Sequence, residues 1–256
     1  MVEQEEFILF EIPLDKKVRS LLRLERIFSD THRHISIGTP SAHFYALKQI
    51  YILLEFFERG NFKAELIQSL DYEIKYFAKL KDNPAVDLSK LDVFIKQLDQ
   101  LSRWARTQHG KIGQQLLNQD FLSISQKKIA LPSACLSFDA PAVKMFLTLS
   151  MEQRKEKLNT WLKVFKGVQT SIEVILRLGR ETGRYDIAFA EDGFYQEDME
   201  NGQYRFIGIK LPREINIFPE VSAGSNRFSI HFKQLDEELN SVAYDKWFDF
   251  QLAKYR

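Results

Sequence analysis

The chain has 256 residues, 45% of them hydrophobic and 28% charged, with a formal net charge of +1 and one cysteine. This composition supplies a sizeable core and excludes a disordered chain, a collagen-like repeat and a disulfide-stapled secreted scaffold. The acidic opening MVEQEEFILFEIP lacks the basic start of a signal peptide. The most apolar stretch, residues 42–57, contains Lys48, Gln49 and Glu55 and makes a poor membrane span. A soluble cytoplasmic protein is expected.

FILFEIP alternates partly, with Ile8, Phe10 and Ile12 on one face, and reads as a strand closed by Pro13. Helical spacing then takes over. Asp15 can cap a helix that buries Val18, Leu21, Leu22 and Phe28. Thr39-Pro40 opens a helix that runs to Gly60 and is apolar almost all round, which predicts a central position in a bundle. Asn61 can cap the next helix. Ser89 and Asp92 form a capping-box pattern ahead of a fourth. A shorter helix is expected from about 112 to 125, and IALPSACLSF reads as an extended, proline-interrupted segment. Asp139 and Pro141 open a short apolar helix. Ser150 and Gln153 form a second capping box before a long helical pattern to about Arg180, with a break expected at Gly167.

After Gly183 the period changes to two. Ile207-Ile209-Leu211, Phe228-Ile230-Phe232 and Phe248-Phe250-Leu252 each alternate with polar or smaller neighbours, as antiparallel strands with one wet face do. The expected class is α+β, a mainly α-helical domain packed with a smaller antiparallel β-sheet domain. The helical domain is expected at 14–182, and the β-strand domain at 1–13 plus 183–256, with the N-terminal strand joining the sheet.

Charge is unevenly spread. Residues 1–14 hold four Glu and no Lys or Arg, and residues 182–256 hold 9 basic and 13 acidic residues, so the middle is strongly basic. A basic middle between acidic ends can attract an anionic partner or its own ends. Nothing comparable points to catalysis. No dinucleotide, phosphate-loop, zinc-protease or Cys-x-x-Cys motif occurs. His32 and His34 read as a surface loop rather than a metal site, and Cys135 as a small packed residue rather than a nucleophile. A binding module with no cofactor and no bound metal is expected, not an enzyme.

The basic residues form patterns. Arg19, Arg23 and Arg26 follow i, i+4, i+7 and share a helix face. There like charges cost about 0.2–0.5 kcal/mol per pair unless Asp15, Glu25 or an anionic ligand offsets them. Arg59 sits at a predicted helix C-terminus, where the helix dipole favours a cation. Arg227, His231 and Lys233 fall on the polar face of one strand, with Ser229 between. Their spacing of about 6.6 Å suits an extended acidic peptide. The same basic groups leave open a nucleic-acid-binding helical protein, against which stand the near-neutral whole chain and the acidic C-terminal part.

Six segments in order, LFEIPLDKKVRSLLRLE, FERGNFKAELIQSLD, KIGQQLLNQD, IALPSACLSFDAP, DGFYQED and SNRFSIHF, resemble segments of the ZapD family of Z-ring-associated cell division proteins, from about residue 7 to 253. The resemblance implies a bacterial cytoplasmic homodimer at the midcell division site. It would bind the C-terminal tail of FtsZ in a basic pocket made by both domains and cross-link FtsZ filaments into bundles, with no catalytic activity, cofactor or membrane insertion. By motif it places Arg19, Arg23, Arg59 and Arg227 at the family's tail-binding positions. Lys128 and Lys144 stand at basic positions flanking SFD-x-P, with a different basic residue type at each. His231 stands where the family pattern carries Arg, and an unperturbed His titrates near ~6.5. The dimer surface is expected in the helical domain.

Overall fold

The computed structural model describes residues 6–82, 87–129, 138–200 and 203–256. Cys135 and most of IALPSACLSF lie outside the described residues. Eight helices and eight strands are present among those described, an α+β architecture. The chain divides into two units, residues 1–22 with 176–256, and residues 23–175. Both divisions fall inside helices.

The first unit carries two four-stranded antiparallel sheets where the alternation suggested one small sheet. One has the order β1-β4-β8-β2, built from β1 (Phe7–Pro13), β4 (Phe206–Pro212), β8 (Phe248–Tyr255) and β2 (Tyr185–Ala190). In the other, β6 (Arg227–Leu235) lies between β3 (Phe194–Asp198) and β5 (Ile217–Ala223), and β7 (Ser241–Ala243) also pairs with β6. Ile207, Ile209, Leu211, Phe250 and Leu252 of the first sheet join Phe228, Ile230 and Phe232 of the second in one buried cluster, the packing of two sheets face to face. β4 departs from the wet-face expectation. Phe206 to Ile209 are all buried, because β4 is flanked by β1 and β8 and Gly208 is roofed by Tyr255 and Tyr185. The turn from β2 to β3 is Asp192-Gly193, with both residues at positive φ and Glu191 and Phe194 exchanging two backbone bonds of 2.9 Å. This Asp-Gly hairpin geometry favours glycine. A Cβ at Gly193 would also collide with the Tyr244 carbonyl.

The helices are α1 (Lys16–Ile37), α2 (Pro40–Arg59), α3 (Phe62–Lys79), α4 (Leu88–Thr107), α5 (Asp120–Ile129), α6 (Pro141–Thr148), α7 (Met151–Lys163) and α8 (Lys166–Thr182). α2 is central as expected, burying Leu47, Ile50, Leu53, Leu54 and Phe57. Phe57 stacks on Phe165 at 5.6 Å, and Phe28 approaches the same ring at 6.4 Å.

Several helix starts follow the sequence patterns. Asp15 Oδ1 accepts from the Val18 amide at 2.7 Å, and the Thr39 hydroxyl accepts from Ala42. Ser150 and Gln153 close both bonds of their capping box. Others differ. Asn61 caps α3 with its backbone carbonyl and not its side chain. α4 starts two residues earlier than the Ser89–Asp92 pattern suggested, with Asp87 as its N-cap. Asp87 takes the Ser89 and Lys90 amides, while Asp92 is drawn away to Lys81 at 2.7 Å. The helix expected from 112 begins as a 3-10 turn, Gln114–Asn118, before α5. The long helical pattern breaks at 164–165 and not at Gly167. Gly167 lies in the first turn of α8, where the Trp104 ring leaves no room for a Cβ.

A buried polar network ties the helical unit together. Arg154 Nε donates to His43 Nδ1 at 2.9 Å, and its terminal nitrogens donate to the carbonyls of Gly38, Leu147 and Leu149. His43 is fully buried, so its Nε2 must carry the proton and donate to the Ile35 carbonyl, 3.1 Å away. No carboxylate pairs with Arg154 among the described residues. Burial pushes the His43 pKa below its ordinary value, and the nearby Arg154 and Lys155 charges add to this.

Candidate functional site

α1 presents the clearest cationic surface. Arg19 and Arg23 are exposed one turn apart, and neither has an ion-pair partner among the described residues. The carboxylate that could have neutralised Arg19 is used elsewhere. Asp15 holds the Val18 amide with one oxygen, and its other oxygen stands 3.6 Å from Arg205 Nε. Arg26, the third arginine of the face, is paired with Asp30 at 2.9 Å, and Asp30 also takes Arg33 at 2.9 Å. Local pairing therefore answers Arg26 and leaves the two arginines nearer the helix start uncompensated. That is the state in which an anionic ligand gains most.

The outward row of β6 runs Arg227, Ser229, His231, Lys233, as the alternation predicted, with Phe228, Ile230 and Phe232 buried behind it. The flanking strands change its electrostatics. Register places Asp198 and Phe194 of β3 opposite Arg227 and His231, and Glu220 of β5 opposite His231. Arg227 Nε lies 3.6 Å from Asp198 Oδ1, and Lys233 Nζ lies 2.8 Å from Glu220 Oε2. The His231 ring leans on Phe194 with centroids 4.8 Å apart. The face is thus a mixed one. Each strong cation of β6 has an internal carboxylate that an incoming acidic group would replace, and an aromatic spot lies between them.

The other expected site residues are on the helical unit. Arg59 ends α2 and pairs with Glu55 at 2.6 Å, both exposed. Lys128 in the last turn of α5 and Lys144 in α6 are exposed and have no ion pair among the described residues. Arg19, Arg227 and His231 belong to the two-sheet unit, and Arg23, Arg59, Lys128 and Lys144 to the helical unit. A single turn of α1 joins Arg19 to Arg23. The residues that sequence reasoning missed are Asp198 and Glu220. Their roles come from strand register, which leaves no local signal.

His32 and His34 lie within α1 and not on a loop. His32 Nε2 bonds Gln169 and His34 stacks on Tyr45, with centroids 4.2 Å apart. Among the described residues no group of three His, Cys, Asp or Glu side chains could hold a metal, and no helix is long and apolar enough to cross a membrane.

A helical unit, a two-sheet unit and exposed arginines on α1 define an α+β protein with a cationic helix face. The sequence pattern of the ZapD family, described as Cell division protein, matches residues 22–231, and the chain belongs to that family. It is similar to Cell division protein ZapD of Shewanella baltica strain OS223, 29% identical over 246 residues that span 96% of this chain and 98% of the relative. Cell division protein ZapD of Shewanella sp. strain MR-7 is likewise 29% identical, and that of Janthinobacterium sp. strain Marseille 27%, each over the same share of both chains.

Proposed function

We propose that this chain serves cell division as a cytoplasmic homodimer that binds the C-terminal tail of FtsZ and cross-links FtsZ filaments into bundles at midcell. Family membership supports the process. The observation that carries the binding reading is the exposed Arg19–Arg23 pair, whose neighbouring carboxylates are engaged elsewhere. Arg19, Arg23, Arg59 and Arg227 contact acidic groups of the tail, and Lys128, Lys144 and His231 add to the field.

One tail held by exposed charges binds weakly and in a salt-sensitive way. Two sites on a symmetric dimer engage two tails, and each filament presents many. Avidity then turns a modest single-site affinity into stable bundles with no further contact. No step of this requires a reaction.

Titration of a labelled FtsZ tail peptide at two salt concentrations tests the reading, with duplex DNA as competitor. Wild type binds the peptide, more weakly at high salt, and excess DNA does not displace it. The double variant Arg19→Glu/Arg23→Glu, folded as wild type, loses most of the affinity. Equal binding by that variant would remove the reading. Displacement by DNA would favour a nucleic-acid partner instead.

A further inference from the structure

β2 ends its sheet: β8 pairs with one side of it, and among the described residues no strand pairs with the other. Edge strands of soluble proteins are usually guarded by lysine, proline or a bulge, because an open row of backbone donors and acceptors is a template for another chain. β1, the opposite edge, is guarded in this way. Its Glu11 is gripped by Arg180 through two bonds of 2.7 Å, and it ends at Pro13. β2, with the sequence YDIAFA, has neither proline nor lysine.

Its outward side chains are the reverse of a guard. Ile187 is 66% exposed and Phe189 70%. Register sets them beside Gln251 and Asp249 of β8. Trp247, just before β8 begins, is also 67% exposed. Ile187 and Phe189 thus share a sheet face left open among the described residues, with a third large apolar side chain exposed at the start of the neighbouring strand, which is what a docking patch looks like and what a free surface avoids. A cleft of about 360 Å³ lies against β2, lined by its residues Asp186, Ile187, Ala188 and Phe189 together with Tyr195 of β3 and Leu252 and Lys254 of β8.

The charge around this edge selects the occupant. Asp186, Glu191, Asp192 and Asp249 are exposed and have no ion pair among the described residues. Of the nearby cations, Lys254 is held by Glu197 at 2.6 Å and Lys210 lies over the Tyr185 ring at 4.0 Å, while Arg184 and Lys246 are exposed with no ion pair among the described residues, so the four carboxylates outnumber the free cations. We propose that the free edge of β2 takes up an extended peptide segment of a partner protein as a fifth strand, with basic side chains facing these carboxylates and apolar ones on Ile187, Phe189 and Trp247. A second β2 would bring the same carboxylates and be repelled. An acidic peptide would be repelled too, so this surface and the arginines of α1 recruit different partners.

The test uses the full chain and the probe acetyl-Lys-Val-Lys-Val-Lys-Val-Lys-amide, with the same peptide carrying Glu for Lys as control. Amide chemical shifts and a binding titration are read together. The basic probe should move the amides of residues 185–190 and bind at least tenfold tighter than the acidic control. Phe189→Lys should weaken it about tenfold or more, with thermal unfolding and FtsZ-tail titration unchanged. Asp249→Asn, which keeps the apolar patch, should weaken it by a smaller factor and flatten its salt dependence. Shifts centred elsewhere, equal binding of the two peptides, or binding indifferent to both substitutions would overturn the proposal. So would self-association of the wild type that Phe189→Lys abolishes.

Discussion

Arg227 and Asp198 face each other across the β3–β6 ladder as register partners, with Arg227 Nε 3.6 Å from Asp198 Oδ1. The arginine that family resemblance places at the tail site is therefore already met by a carboxylate of its own sheet. An exposed pair of this kind contributes under about 1 kcal/mol, enough to compete with a ligand without blocking it. Asp198→Asn should raise affinity for the FtsZ tail peptide by up to about fivefold. Titration of wild type and variant at low salt reads this directly. Unchanged or weaker binding would mean that Arg227 does not meet the tail.

Charge reversal should have the opposite effect. Arg227→Glu removes an attraction and places two carboxylates together beside the ligand. Loss of a desolvated, hydrogen-bonded charge pair costs about 2–5 kcal/mol, whereas a rim pair costs under about 1 kcal/mol. Binding should fall by at least tenfold while thermal unfolding stays near wild type, since Arg227 is an exposed residue. His231→Arg installs a fixed charge between Phe194 and Glu220 and should tighten binding at neutral pH. Peptide titration of the two variants, with circular dichroism as the fold control, checks both.

The Arg154–His43 pair gives the helical unit a pH dependence of known sign. His43 has a lowered pKa when folded, mainly because it is buried, so the unfolded chain binds its proton first. Stability should be full above about pH 6.5 and fall as pH drops below that value, by at most about 1.4 kcal/mol per pH unit from this group. Arg154→Met strands the carbonyls of Gly38, Leu147 and Leu149 and the Nδ1 of His43. It should cost about 3–5 kcal/mol, as breaking a buried charge network does. Urea unfolding between pH 5 and 8 measures both effects.

The start of α4 offers a sharper local test. Asp87→Ala removes the acceptor of the Ser89 and Lys90 amides and should cost about 0.5–2 kcal/mol, while Ser89→Ala should change stability by under about 0.5 kcal/mol. If the capping box read from the sequence were the real cap, the order of the two would reverse.

That helix also shows what a sequence can and cannot carry. Cap residues and apolar spacing are local, so α2, the Ser150–Gln153 box and the β1 and β6 alternations were legible residue by residue. Choosing between Asp87 and Ser89 as cap required knowing that Lys81 holds Asp92. The split into two sheets, the burial of both faces of β4 and the carboxylates that answer β6 all depend on which strands pair. Asp198 and Glu220 look like ordinary surface acids until register sets them beside Arg227 and His231. Arg154 and His43 are 111 positions apart, and nothing local joins them. For the site, the helical period shows that Arg19, Arg23 and Arg26 share a face. Only the structure shows that Asp30 neutralises Arg26 and leaves the other two.

Co-sedimentation with polymerised FtsZ tests the central claim most directly, using full-length FtsZ and FtsZ lacking its C-terminal tail. The account predicts that this chain pellets with full-length filaments and bundles them. It also predicts that both effects vanish with tailless FtsZ and with Arg19→Glu/Arg23→Glu. Equal pelleting and bundling with tailless filaments would contradict it.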